Sequence, residues 1–110
     1  MAKLETSLRG SLDQWAEKIE AGIQNGSVSA SVVDRSEFRS ADSRCLVLVF
    51  ERFNMLRGRW VSLNVTLFQD STGLIHCSAI TSGSGASDAL GFGERGGKAF
   101  LNQLRKILEA

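Results

Sequence analysis

The sequence predicts an α+β fold of two layers, with two helices packed on one face of a curved, antiparallel five-stranded sheet. Three observations predict it. Five runs read as strands, most of them alternating apolar and polar residues with period two. Two other runs repeat apolar residues at spacings of three and four, the mark of one-sided helices. The 110 residues, 43% hydrophobic and 23% charged, suit a single domain spanning 1–110, which at this size buries roughly 65% of its unfolded surface. Sheets with one apolar face and helices with one apolar stripe are satisfied together when stripes pack on the face.

The elements follow in the order β-α-β-β-β-β-α. In the first run Ala2, Leu4, Thr6 and Leu8 fall on one side and Lys3, Glu5, Ser7 and Arg9 on the other. Gly10 breaks that strand, and Ser11 stands three residues before Gln14 as a capping box. Leu12, Trp15, Ile19 and Ile23 then draw a helix, which Asn25-Gly26 is expected to end with a left-handed cap. The second strand is expected from Val28 to about Phe38, with Val28, Ala30 and Val32 on one face. After a turn at Ser40-Ala41-Asp42, the run Cys45–Phe50 is apolar on both faces and belongs in the centre of the sheet. Asn54 to Gly58 turns the chain into Trp60–Phe68, where Val61, Leu63, Val65 and Leu67 point inward. Asp70-Ser71-Thr72-Gly73 is a turn by composition, and Leu74 to Thr81 is the last strand. Six of the eleven glycines fall in Ser82–Gly97. Beyond them Phe100, Leu101, Leu104, Ile107 and Leu108 form the second helical stripe, which begins either near Ala86 with a break at Gly91 or only after Gly97.

This element order resembles one half of the TATA-box-binding protein fold, a curved sheet with two helices on its convex side, over the whole chain. The chain also looks like small one-domain bacterial proteins that carry no assigned activity. Both resemblances rest on element order, and a shared fold does not carry a function with it.

Composition narrows the classes. Thirteen Lys and Arg against twelve Asp and Glu leave a charge of +1, which argues against a nucleic-acid partner. No apolar run reaches the ~20 residues of a membrane span, and the N-terminus lacks a secretory pattern, so a cytoplasmic location without membrane is expected. Cys45 and Cys77 then read as reduced, buried thiols. One His and two Cys in no ligand spacing predict no metal, and no cofactor is expected.

Four features bear on function. Gly91-Phe92-Gly93-Glu94-Arg95-Gly96-Gly97 matches G-x-G-x-x-G at a helix start, yet no strand directly precedes it and no parallel strand follows the helix. It reads as a crossover loop or as a pocket for an anion or small molecule. His76, the one histidine of the chain, shares a face with Ser78, and a hydrolase-type enzyme would use it with Ser78 or Cys45. Arg35, Arg39, Arg44, Arg52, Arg57 and Arg59 are interleaved with Glu37, Asp42 and Glu51, either as an anion-binding edge or as charges that protect strand edges. Finally, Trp60 and Phe68 flank Ser62, Asn64 and Thr66 on the face that the helices leave open, with Leu74 and Ile80 adding apolar area.

Such a face suits a homodimer. The leading expectation is a non-catalytic, self-associating protein with Trp60, Ser62 and Phe68 in its interface. The alternative is a binding module for a small molecule or anion that uses Asn64, His76, Ser78, Gly93, Arg95 and Gly96.

Overall fold

A computed structural model of the chain describes residues 2–55, 58–83 and 92–110, with side chains from Gly97 onward in the last stretch. The elements are β1 (Lys3–Leu8), α1 (Leu12–Asn25), β2 (Ser31–Arg39), β3 (Arg44–Asn54), β4 (Arg59–Gln69), β5 (Ile75–Gly83) and α2 (Phe92–Glu109). The five strands form one antiparallel sheet in the order β1-β5-β4-β3-β2. Successive hairpins join β2 to β5, and β1 closes the far edge beside β5.

The core lies between the sheet and the helices. β3 contributes Leu46, Leu48 and Phe50, β4 contributes Val61, Leu63, Val65 and Leu67, and β5 contributes Ile75, Cys77 and Ala79. Against them pack Leu12, Ala16, Ile19 and Ile23 of α1 and Phe100, Leu101 and Leu104 of α2. Period two on the strands and period 3.6 on the helices therefore meet in one apolar layer. Thr81 is the buried polar side chain among the described residues. Its hydroxyl accepts from the Ala2 amide at 3.0 Å, so the start of β1 satisfies it.

α1 begins as its capping box predicts, with the Ser11 hydroxyl accepting from the Gln14 amide at 3.2 Å. Gly10, at φ +112°, supplies the bend that a side chain would strain. The end of α1 differs from expectation. Gly26 is right-handed (φ −82°, ψ −10°), and its amide still donates to the Gly22 carbonyl. The carbonyls of Gly22 and Ile23 also accept from the Gln103 side-chain amide of α2, at 3.4 and 3.2 Å. A methyl at Gly22 would collide with Ile107, and one at Gly26 with Gln103. Both glycines serve close approach of the two helices, not backbone handedness.

Three further expectations are corrected. β2 starts at Ser31, and Val28 lies before it, fully exposed. As an edge strand β2 needs little apolar surface: only Val32 packs on the core, and one extra residue interrupts the register between Val32 and Asp34. The centre of the sheet is β4, while β3 lies one strand from the edge. The second apolar row of β3, Val47 and Val49, faces away from the helices and is half-buried. The described helix α2 begins at Phe92, so Gly93, Gly96 and Gly97 belong to its first turns and a start only after Gly97 is overturned, while Ala86 and the break at Gly91 lie outside the described residues. The loop part of the glycine-rich segment, 84–91, lies outside the described residues, as does Arg57. No helix among the described residues is long and apolar enough to cross a membrane.

Candidate functional site

The face of the sheet opposite the helices is built in rows by strand register. One row runs Ser7, His76, Phe68, Cys45, Phe38 across β1, β5, β4, β3 and β2. The next runs Glu5, Ser78, Thr66, Val47, Ser36, and the third Lys3, Ile80, Asn64, Val49, Asp34. At the far end Trp60 stands opposite Phe53, their ring centroids 5.3 Å apart. Phe38 (67% exposed), Trp60 (52%), Ile80 (42%) and Phe68 (40%) all belong to this face. These values exceed what a sheet face closed by its own chain would leave.

The predicted residues divide between the two sides of the sheet. Trp60, Ser62, Asn64 and Phe68 alternate along β4 on the open face, and His76 and Ser78 stand beside Phe68 and Thr66 on β5. Asn64 is two rows away from His76, beside Ile80. Gly93, Arg95 and Gly96 belong to α2, in the helix layer on the other side. The side chain of Arg95 lies outside the described residues.

His76 has a partner that its own strand does not reveal. Its Nε2 lies 2.9 Å from Oδ2 of Asp70, across the β4–β5 turn, and its ring stacks on Phe68 with centroids 6.0 Å apart. The other Asp70 oxygen accepts from the amide of Thr72 at 2.9 Å and from its hydroxyl at 2.5 Å. These bonds, the Thr72 hydroxyl first and His76 second, pull the Asp70 carboxyl down to about 2. Asp70 is a turn residue in sequence. The only signal for its second role is its spacing of six from His76, which becomes legible once the turn is known to be a hairpin.

A concavity of about 420 Å³ adjoins this pair, lined by Glu5, Thr6, Ser7, Thr66, Phe68, His76, Cys77 and Ser78. It holds a hydrogen-bonded His–Asp pair and several hydroxyls. No hydroxyl or thiol among the described residues is hydrogen-bonded to His76. Cys45 is two strands away, roughly 10 Å at ordinary strand spacing, with Phe68 between. Cys77 points into the core, where burial pushes its thiol up to about 11, so it is inert as a nucleophile near neutrality. Among the described residues no cluster of three or more His, Cys, Asp or Glu side chains is placed to hold a metal ion.

The arginines are largely spent on structure. Arg44 takes Asp13 of α1 in a bidentate pair (2.9 and 3.1 Å) and Glu37 of β2 at 3.1 and 3.2 Å. It thereby ties helix to hairpin. Arg35 pairs with Glu20 at 2.9 Å and Arg39 with Glu37 at 2.6 Å. Arg52 bonds Gln103 at 2.9 Å. At Arg35, Arg39 and Arg44 an open anion-binding edge is thus replaced by a network of ion pairs.

A family model described as a family of unknown function (DUF6054) matches residues 1–110. No curated protein and no solved structure matches the chain.

Proposed function

The chain belongs to the DUF6054 family, and from its own geometry we propose that it acts as a non-catalytic homodimer joined through the open face of the sheet. The observation that carries the reading is the set of large apolar side chains on that face: Phe38, Trp60, Phe68 and Ile80, all at least 40% exposed. At ~4.8 Å between strands and ~6.7 Å between rows, five rows on β3 and β4, four on β2 and β5 and three on β1 give a face of roughly 700 Å² per copy, close to the ~800 Å² of a standard interface.

Charge supports a second copy as the occupant. A two-fold axis lying along β4 turns the sheet onto its copy and lays β1 over the partner's β2. Lys3 then meets the partner's Asp34 and Ile80 meets the partner's Val49, since these positions share one row. Phe68, Thr66, Asn64, Ser62 and Trp60 fall near the axis. Aligned sheets cross by about 30°, so the overlay is closest at Thr66 and Asn64 and looser toward the edges.

Sedimentation of the wild-type chain should show a dimer, and Trp60→Asp or Phe68→Asp should each shift it to monomer. Lys3→Asp should weaken the dimer, and Asp34→Lys on the same chain should restore it. A wild-type chain that stays monomeric at its highest soluble concentration overturns the proposal, and so does a dimer that survives both aromatic substitutions.

The concavity beside His76 supports a second reading, a small-molecule binding module, because the Asp70–His76 pair stands at its rim next to Ser78. That reading expects a compound in a thermal-shift panel to raise the melting temperature of the wild type but not of His76→Ala. The glycines of α2 take no part in it.

A further inference from the structure

At the opposite end of the molecule from His76, a groove of about 610 Å³ runs between the α1–β2 connection, the end of β3 and α2. Its walls are mainly apolar: Val28, Phe53, Met55 and Ala99 line it, with Arg52 among them. Val28 and Met55 are 109% and 85% exposed, far beyond what either residue gains from water. The wall at Ser29 is fixed, because its hydroxyl accepts from the Phe53 amide and donates to the Phe53 carbonyl, both at 3.2 Å.

Arg52 is the anomaly. It is half-buried, and the partners it has are neutral: the Gln103 carbonyl oxygen at 2.9 Å and the face of Phe100, with the guanidinium 4.6 Å from the ring centroid. No carboxylate among the described residues lies within ion-pair distance of it. Arg44, on the same strand and the same face, holds two carboxylates. A partly desolvated cation without a counter-charge is costly, and a cation is seldom placed so without an anion to meet it. Burial accordingly pulls the Arg52 guanidinium down from its ordinary range.

We propose that this groove binds an apolar carboxylate, its chain along Val28, Phe53 and Met55 and its carboxylate paired with Arg52. The volume lies within the 300–1,000 Å³ usual for small-ligand sites. An apolar tail alone would leave Arg52 unpaired, and a small anion alone would leave the apolar wall wet. A molecule with both parts satisfies both. The carboxylate end of the site, at Arg52, Gln103 and Phe100, lies on the helix side of the β3 end, and Phe53, stacked on Trp60, is where the groove borders the open face.

Calorimetric titration of the whole chain with decanoate, against decanol as the neutral match, tests it. Decanoate should bind at a single site, with amide chemical-shift changes at Ser27–Ser29 and Phe53–Met55. Decanol should bind about ten-fold more weakly or worse, as loss of a charged hydrogen bond implies. Arg52→Gln should weaken decanoate to the level of decanol. Val28→Asp, at a position that packs against nothing and so spares the fold, should weaken it too. Equal binding of decanoate and decanol, no binding of decanoate, or binding untouched by either substitution overturns the proposal. Shifts centred on Phe68 and Thr66 do so as well, since they mark adsorption to the sheet face away from the groove.

Discussion

Asp70 holds three donors on two oxygens, and its acidity follows from them. Its folded value of about 2 lies below the ordinary 3.8, so the stabilisation it brings is present above roughly pH 4 and is lost as pH falls toward 2. Thr72→Ala should raise the Asp70 carboxyl, and by more than His76→Ala does, in a carbon-detected NMR titration. An equal or reversed order would refute the ranking of the two donors. Arg44 acts on two other acids in the same sense. Its hydrogen bonds hold Asp13 and Glu37 below their ordinary 3.8 and 4.5, which stabilises the fold above those values and less so as pH drops through them. Arg44→Gln should therefore lower stability most near neutral pH and least at pH 3, which flattens the acid side of the stability–pH curve, read by urea unfolding at pH 3 to 7. In the core, Leu48→Ala or Leu63→Ala should cost about 2.7–5 kcal/mol, since both side chains are fully buried with neighbours on all sides.

Among the elements, α1 best separates what local chemistry sets from what its neighbours set. Its start is local: Ser11→Ala removes the cap on Gln14 and should cost about 1 kcal/mol in urea unfolding. Its interior is not. On propensity alone Gly22→Ala should stabilise a helix by about 1 kcal/mol. Here the added methyl meets Ile107 of α2, so the substitution should lower the unfolding midpoint, and a higher midpoint would show that the helices give way. The same contact explains why a left-handed cap was the wrong expectation at Gly26. Gln103, 80 residues beyond Ile23, supplies the hydrogen bonds that such a cap would have provided. β2 carries a similar lesson. Its serines and charges read as a weak strand because an edge strand is selected against apolar surface, and its register is set by β3 instead.

At the scale of the whole molecule, the two sides of the sheet have different fates. The side toward the helices is closed by the chain itself, and its residues were legible one by one, because burial imposes period two and period 3.6 on the sequence directly. Val61, Leu63, Val65 and Leu67, and likewise Phe100, Leu101 and Leu104, lie where that periodicity puts them. The element order and the turns at Ser40–Asp42 and Asp70–Gly73 were legible for the same reason, since turn chemistry is local. The open face was legible only strand by strand: alternation assigns Trp60, Ser62, Asn64 and Phe68 to one side but says nothing of which strand lies beside which. Pairing is largely non-local: the β4–β5 hairpin set Asp70 against His76, and pairing across the sheet placed Phe68 between His76 and Cys45 and aligned Lys3 and Asp34 in one row. It likewise separated Arg44 from Arg52, two arginines with the same parity on one strand, by giving carboxylates to the first and an apolar groove to the second. Periodicity is written along the chain because each residue answers to solvent on its own, whereas partners are decided only when distant segments meet.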